Sequence, residues 1–218
     1  MNVTRILLAD DHRMTRQGLR SLIARQPGME VVAEATDGRE AVRLAADVAP
    51  DVVVMDIEMP GLNGIEATRQ VVARVPGVKV IALTASADER RTADMLRAGA
   101  SGYVPKASAF REVVEAVRAV AAGKVYLSPL VAGAVAESCR DGARPAGSSA
   151  FDRLSPKQRE VLQLIAEGKA TKEVAAVLGV SVKTVETHRR QIMEKLDLYS
   201  VAELTKYALR EGLTSVGA

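Results

Sequence analysis

Polar residues that could do chemistry stand at the ends of short apolar runs in the first half of the chain. Asp10 and Asp11 follow one run, Asp56 ends another, Thr84 ends a third, and Lys106 comes just after a fourth. Three carboxylates placed together need a cation, and an all-oxygen ligand set that keeps several waters suits Mg²⁺. An aspartate can also attack phosphorus to give an aspartyl-phosphate, while a metal and a lysine stabilise the transferred charge. The pattern therefore predicts a divalent-metal site suited to phosphoryl transfer.

These residues meet only if the apolar runs are strands of one sheet. The runs are rich in Val, Ile and Leu, are continuous rather than alternating, and are separated by segments of helical period, as in strands buried on both faces. They predict a doubly wound, five-stranded parallel α/β sheet, whose ligand site lies at the carboxyl ends of the central strands. The predicted strands are 5–9, 30–35, 51–55, 79–83 and 102–104, and the predicted helices are 15–26, 38–46, 64–74, 87–98 and 109–122. His12 is interpreted as a residue at the start of the first helix and not as a metal ligand, because no Cys or other His stands near it in the sequence.

The rest of the chain has a different residue pattern. Residues 137–150 lose apolar periodicity and collect Gly, Ser, Pro and charge, which predicts a linker. Beyond it the pattern is helical, with serines where helices should begin and glycines where they should end. The serines are Ser155, Ser181 and Ser200, and the glycines are Gly168, Gly179 and Gly212. We expect an α/β domain at 1–124, a linker at 125–150 and an all-α, four-helix helix-turn-helix domain at 151–218.

Composition excludes several classes of protein. The chain has 218 residues, 30 Lys and Arg against 27 Asp and Glu, and 3% aromatic residues. So few aromatic rings argue against a surface that stacks the bases of single-stranded nucleic acid. A single Cys permits no intramolecular disulfide, no run of 18 apolar residues could span a bilayer, and the N-terminus lacks a signal-peptide pattern. We expect a cytoplasmic protein with no membrane partner.

Four separated motifs at the predicted strand ends resemble the receiver domain of two-component response regulators. They are Asp10-Asp11, residues 55–60 (MDIEMP) with Gly64, Leu83-Thr84-Ala85, and Tyr103-Val104-Pro105-Lys106. The resemblance implies the flavodoxin-like strand order 2-1-3-4-5. It also implies that Asp56 is the phosphoacceptor, that Asp11 binds Mg²⁺ (or Mn²⁺) directly and Asp10 through water, and that the backbone carbonyl of Glu58 completes the protein ligands.

The same resemblance implies a response to the phosphoryl group. Thr84 would donate a hydrogen bond to a phosphoryl oxygen, Ala85 would leave room for it, and Lys106 would pair with it. Tyr103 would turn inward as Thr84 moves, although ordinary half-buried packing explains this tyrosine equally well. The residues implied to tune dephosphorylation, because they border the path of an attacking water, are Glu58 and Ser86.

The C-terminal domain resembles the LuxR-type helix-turn-helix, and the whole chain resembles a response regulator of the NarL/FixJ class. The matching stretches are residues 154–162 (LSPKQREVL), 166–168 (AEG), 172–175 (KEVA) and 181–188 (SVKTVETH). On the third helix, helical spacing predicts that Val182, Val185, Ile192 and Leu196 face the core. The opposite face would enter the major groove of double-stranded DNA. From the family alignment, Glu186, Thr187 and Arg190 would approach base edges, and Lys183, Thr184 and Arg189 would contact phosphates.

Dimerisation is implied for the fourth helix, although its apolar residues could equally pack within the domain. The residues concerned are Val201, Ala202, Leu204 and Leu209.

The leading hypothesis is a phosphorylation-controlled transcription regulator. A sensor histidine kinase would phosphorylate Asp56, which would favour a homodimer that binds promoter DNA. Its only catalysis would be its own phosphorylation and dephosphorylation. One alternative is a DNA-binding regulator controlled by a partner or ligand independently of phosphate. Another is an aspartyl-phosphate phosphatase or phosphotransferase, which is disfavoured because Glu58 stands where the usual signature of such enzymes has a second Asp.

Overall fold

The structure is a computed structural model that describes residues 3–85, 89–108, 110–133, 150–151 and 153–214. The chain divides into two compact units, and the division falls between residues 133 and 150. Ser86, which was predicted to border the path of an attacking water, lies outside the described residues.

The first unit alternates strands and helices, as its sequence predicts. The strands are β1 Thr4–Ala9, β2 Met29–Ala35, β3 Val52–Asp56, β4 Lys79–Thr84, β5 Gly102–Pro105 and β6 Tyr126–Leu127. The helices are α1 Arg13–Ile23, α2 Gly38–Val48, α3 Gly64–Arg74, α4 Glu89–Arg97 and α5 Phe110–Ala121. Polar side chains fix two of the helix starts: Asp37 accepts from the backbone N–H groups of Arg39 and Glu40, and Asn63 accepts from that of Glu66.

The six strands of the described residues form one parallel sheet in the order β2-β1-β3-β4-β5-β6. Successive side chains point to opposite faces, so each central strand contributes to two cores. Leu7 and Val53 pack on the face that carries α2 and α3. Ile6 and Val54 pack on the face that carries α1 and α5. The continuous apolar runs are thus buried on both sides, which confirms the predicted doubly wound fold.

The sheet has six strands where the sequence predicts five. Tyr126–Leu127 lies within the predicted linker, yet it pairs with β5 in the register Gly102 to Tyr126 and Tyr103 to Leu127. The segment continues into the core, where Val131 belongs to the same apolar cluster as Tyr103. A strand of two residues is too short to show a hydrophobic period, because recognising one takes at least four residues.

The second unit is helical in its described residues. Its helices are α6 Pro156–Ala166, α7 Thr171–Leu178, α8 Val182–Leu196 and α9 Val201–Arg210. Ser155, Ser181 and Ser200 each accept a hydrogen bond from a backbone N–H of the following helix, as predicted. Gly179 adopts a φ of 63° between α7 and α8, a left-handed conformation that glycine adopts without steric cost. None of the helices in the described ranges combines the length and apolar character needed to cross a membrane.

Candidate functional site

The polar residues predicted to form the metal and phosphoryl-transfer site lie together at one edge of the sheet. Asp10 directly follows β1, Asp56 ends β3, Thr84 ends β4 and Lys106 directly follows β5. Because β1, β3, β4 and β5 are consecutive neighbours in a parallel sheet, their carboxyl ends lie side by side. Residues separated by as much as 96 positions in the chain, Asp10 and Lys106, are thereby brought into contact.

The centre of the site is a group of carboxylates with one lysine. The side chains of Asp10 and Asp56 are almost completely buried, each residue being 1% exposed, while Asp11 lies at the surface. Nζ of Lys106 is 2.6 Å from Oδ2 of Asp56 and 2.9 Å from Oδ2 of Asp10. Ligand atoms of Asp10, Asp11, Asp56 and His12 all lie within 4.8 Å of one another. These oxygen atoms and one nitrogen atom are close enough together to bind a single cation.

His12 begins α1 as its N-cap residue, as the sequence predicts. Its backbone N–H donates to Oδ1 of Asp10 at 2.8 Å, which fixes that carboxylate beside the helix start. Its Nδ1 lies 2.7 Å from Oδ1 of Asp11 at the rim of the site. His12 therefore contacts both acidic side chains.

The electrostatics of the cluster favour a cation. Burial raises the pKa of Asp56 to about 7, and the negative charges of Asp10 and Asp11 add to the rise, while Lys106 opposes it. Burial alone would lower the pKa of Lys106, but the carboxylates of Asp56 and Asp10 outweigh it and the pKa lies above the usual value. One lysine thus compensates the crowded carboxylates only in part, and an added divalent ion would relieve the remaining repulsion.

Two glycines shape the loop that follows Asp56. A Cβ on Gly64 would lie 1.9 Å from the backbone oxygen of Asp56, and one on Gly38 would lie 2.1 Å from the backbone oxygen of Leu62. In the close approach that glycine permits, the backbone N–H of Gly64 donates to the oxygen of Ile57 at 2.9 Å. The path of the backbone from Asp56 to Leu62 therefore requires glycine, which has no Cβ, at positions 64 and 38.

The predicted switch residues flank the cluster. Thr84 is buried at the end of β4, and its backbone oxygen accepts from the N–H of Lys106 at 2.6 Å. Ala85 is exposed directly after it. Tyr103 is fully buried on β5, in the apolar cluster with Val131, and not half-buried as one of the two interpretations expects. Glu58 lies beside Asp56 and donates its backbone N–H to Oδ1 of Asp56 at 3.3 Å.

Sequence reasoning missed one charged residue near the site. Arg91, on α4, forms an ion pair with Glu58 and is largely withdrawn from water. Burial lowers the pKa of Arg91, while Tyr103 and Asp56 act to raise it. An arginine inside a helical segment gives no sequence signal for such a contact, because the pairing depends on how α4 is placed against the sheet.

In the second unit, α8 presents the predicted polar residues on its outer face. Lys183, Glu186 and Arg190 are exposed, and Thr184, Thr187 and Arg189 are partly exposed. Val185 and Ile192 are buried in the core with Leu196 packed against it, as predicted. Val182 is exposed instead, because it is the first residue of α8 and lies outside the stripe that packs on the core.

A polar network ties α8 to the start of α6. Nε2 of Gln158 donates to Oε1 of Gln191 at 3.0 Å, and Nζ of Lys195 donates to Oε1 of Gln158 at 2.8 Å. Lys195 also donates to the backbone oxygen of Arg153 at 2.8 Å. Gln158 is the capping-box partner of Ser155, so a residue that caps the start of α6 also contacts α8.

The predicted dimer residues of α9 do not share one environment. Val201 and Ala202 are exposed and Leu209 is partly exposed. Leu204 is fully buried in the core of the unit. Leu204 is therefore a core residue and is removed from the predicted interface, because the helical period places it on the inward face of α9.

Two family models together match most of the chain. The response regulator receiver domain matches residues 6–118. The family described as bacterial regulatory proteins, luxR family, matches residues 152–208.

Similar proteins extend over nearly the whole length. The transcriptional regulatory protein LiaR of Bacillus subtilis (strain 168) is 40% identical over 213 residues, which cover 97% of this chain and 99% of LiaR. The response regulator GacA of Pseudomonas viridiflava is 36% identical over 214 residues, 98% of this chain and 99% of GacA. The solved RcsB response regulator of Salmonella typhimurium has a TM-score of 0.60 at 27% identity, covering 95% of this chain and 98% of RcsB. A structure of an RcsB–DNA complex has a TM-score of 0.59 at 26% identity and covers 94% of this chain and 98% of that one.

The chain belongs to the NarL/FixJ-type response regulators, which join a receiver domain to a LuxR-type DNA-binding domain. Its relatives are transcription regulators rather than metabolic enzymes. This finding leaves the phosphatase alternative without support.

Proposed function

We propose that this protein is a cytoplasmic transcription regulator switched by phosphorylation of Asp56. A sensor histidine kinase supplies the phosphoryl group, and phosphorylation favours a homodimer that binds promoter DNA. The observation that supports this most directly is the contact of Lys106 with both Asp56 and Asp10 in a buried acidic cluster at the carboxyl end of the sheet. The match to the receiver family supports the same assignment.

The chemistry assigned to Asp56 is nucleophilic attack on phosphorus. One carboxylate oxygen forms a bond to the phosphorus atom, the bond from phosphorus to the imidazole nitrogen of the donor breaks, and that nitrogen retains the electron pair. Asp10 and Asp11, with the backbone carbonyl of Glu58 and Asp56 itself, would hold Mg²⁺ or Mn²⁺. When bound, the ion neutralises charge on the transferred oxygens and orients them for in-line attack.

Other side chains at the site would bind the product. Lys106, already 2.6 Å from Asp56, is placed to pair with a phosphoryl oxygen in place of one carboxylate contact. Thr84 would donate its hydroxyl hydrogen to another phosphoryl oxygen, and the small Ala85 leaves space for the group. The buried Tyr103 on the adjacent strand would respond to the movement of Thr84. The phosphoryl group would thus change the packing between β4 and β5.

The proposed output is the reading of DNA by α8. Its outer face carries Lys183, Arg189 and Arg190 together with polar residues that can reach base edges or phosphates. The helix-turn-helix family match and the DNA-bound RcsB structure support this role. A net charge of +3 implies weak non-specific binding by a single copy, so two copies on paired half-sites would bind more effectively.

We propose revised domain bounds. The receiver would run to about residue 133 because β6 and Val131 are part of its sheet and core. The linker would then occupy the interval to residue 150, and the DNA-binding domain residues 151–218.

Labelling with acetyl phosphate in Mg²⁺ buffer tests the assignment of Asp56. The wild-type protein should gain the mass of one phosphoryl group by intact-protein mass spectrometry, and Asp56→Asn should gain none. Asp47→Asn, which alters an exposed aspartate on α2 paired only on the surface with Arg43, is the matched control and should label like wild type. Undiminished labelling of Asp56→Asn would exclude Asp56 as the phosphoacceptor.

A further inference from the structure

We propose that Arg91 is a positioning residue for the phosphoryl chemistry at Asp56 and that it acts through its ion pair with Glu58. The inference rests on the proposed phosphorylation of Asp56. It extends that function by assigning control of the lifetime of the phosphorylated state to a residue on α4.

Glu58 is fixed at two points. Its backbone N–H donates to Oδ1 of Asp56 at 3.3 Å, so its main chain contacts the carboxylate that would react. Its side chain is paired with Arg91, which lies 33 positions further along the chain. The first contact places Glu58 next to the atom that would carry the phosphoryl group. The second contact orients the Glu58 carboxylate toward Arg91.

The ion pair differs from that of Arg97 with Asp94, which also lies on α4. The side chains of Arg91 and Glu58 are 17% and 34% exposed, so the pair is partly withdrawn from water and screened less than a surface pair. Arg97 pairs with Asp94 within the same helix, and those side chains are 46% and 31% exposed. The Arg97 pair connects two turns of α4, whereas the Arg91 pair connects α4 to the loop that follows Asp56.

The charge of Asp56 also acts on Arg91. The Asp56 carboxylate is one of the groups that oppose the effect of burial on the Arg91 guanidinium. Arg91 therefore lies within electrostatic range of Asp56, where phosphorylation replaces the carboxylate charge with a charge of about −1.5 to −2 on the phosphoryl oxygens. The guanidinium that pairs with Glu58 is therefore also influenced by the charge at Asp56.

This placement has a consequence for hydrolysis of the aspartyl-phosphate. In that reaction a water oxygen forms a bond to phosphorus, the bond between phosphorus and the Asp56 oxygen breaks, and inorganic phosphate and a proton are released. While Arg91 holds it, the Glu58 carboxylate is neutralised and directed toward α4. Released from Arg91, the carboxylate can turn toward the site and accept the proton of the attacking water. Loss of Arg91 should therefore shorten the lifetime of the phosphorylated protein.

The lifetime is measured after labelling with acetyl phosphate, removing the donor on a desalting column and following the phosphorylated mass with time in Mg²⁺ buffer. Arg91→Gln should lose its phosphoryl group roughly three- to tenfold faster than wild type. Arg91→Lys keeps the charge and should restore most of the lifetime. Arg97→Gln, on the same helix, should decay like wild type.

A double substitution separates action through Glu58 from a general effect on α4. In Glu58→Gln the carboxylate that could accept a proton is absent, so adding Arg91→Gln should cause little further change. If Arg91→Gln decays at the wild-type rate, or accelerates decay by the same factor in both backgrounds, Arg91 does not act through Glu58 and the inference is wrong. A lowered melting temperature with an unchanged lifetime would likewise assign Arg91 a purely structural role. Failure of the wild-type protein to label at all would contradict the proposed function itself, which is a distinguishable result.

Discussion

Nζ of Lys106 lies 2.6 Å from Oδ2 of Asp56, although the two residues are 50 positions apart in the chain. The same amino group reaches Asp10 at 2.9 Å, so one lysine bridges two buried carboxylates. Asp11 remains at the rim, in contact with His12. One lysine does not fully compensate the negative charge of these carboxylates. The stability of the protein should therefore depend on both metal and pH.

Mg²⁺ should raise the melting temperature of the protein, because an ion that binds only the folded state stabilises it by mass action. Asp11→Asn should remove most of this rise, since Asp11 is the proposed direct ligand. Asp47→Asn should retain it. The measurement is a thermal melt followed by circular dichroism, with EDTA as the reference condition. An equal Mg²⁺ effect in the wild type and in Asp11→Asn would contradict the proposed ligand set.

In metal-free buffer, stability should fall as the pH rises from about 4 toward 7. The pKa of Asp56 is raised from 3.8 to about 7 in the folded protein, so between these values the folded state binds more protons than the unfolded state. The shift corresponds to a loss on the order of 2–4 kcal/mol once Asp56 is ionised.

Asp56→Asn isolates this contribution because asparagine does not titrate. Urea denaturation in EDTA should show that Asp56→Asn is more stable relative to wild type at about pH 8 than at about pH 5, because only the wild type loses stability as Asp56 ionises. Asp47→Asn should show no such change with pH. A constant difference between Asp56→Asn and wild type at both pH values would count against a raised pKa.

Gly64→Ala should destabilise the receiver. The added Cβ would lie 1.9 Å from the backbone oxygen of Asp56, which forces the loop after β3 to move. Overpacking of this kind costs about 1–3 kcal/mol or more. Gly133→Ala is the matched control, since a Cβ there meets nothing within 4 Å. Urea unfolding measures the cost, and the labelling rate of Asp56 should fall in the same variant. Similar stabilities for the two alanine variants would show that the loop can accommodate a side chain.

Arg190→Ala should weaken specific DNA binding by roughly 1–3 kcal/mol. Its guanidinium is exposed, and its Nε lies 3.9 Å from Oε1 of Glu194. A surface ion pair at this distance is too weak to prevent Arg190 from binding DNA. Lys157→Ala removes one positive charge from α6 and is the control. Fluorescence anisotropy compares the phosphorylated variants on a site selected from random DNA by the wild type and on a scrambled site. Unchanged affinity and unchanged preference would remove Arg190 from the reading surface.

The sequence predicts the residues at the strand ends because their signal is local. An apolar run that stops at Asp56 or Thr84 shows where a strand ends, and parallel strands bring their ends together. The helix starts at Ser155, Ser181 and Ser200 are predictable for the same reason, since each cap is formed within four residues.

Contacts that depend on tertiary placement are not predictable in this way. The pairing of Arg91 with Glu58 depends on the rotation of α4, and the link from Gln158 to α8 depends on the crossing of two helices. Helical period shows that α9 has an apolar face. It does not show that Leu204 is covered by its own domain while Val201 remains exposed.

The short strand β6 determines where this protein can be truncated or fused to the DNA-binding domain of another regulator. A fragment ending at residue 124, the boundary expected from sequence, would leave the backbone of β5 as an open edge, because Tyr126 and Ser128 donate to the oxygens of Ser101 and Tyr103 at 3.0 Å. Open edges promote association between chains. A fragment of residues 1–133 should run as a monomer on size-exclusion chromatography, whereas 1–124 should aggregate or melt at lower temperature. Chimeras that exchange DNA-binding domains should therefore be spliced after residue 133.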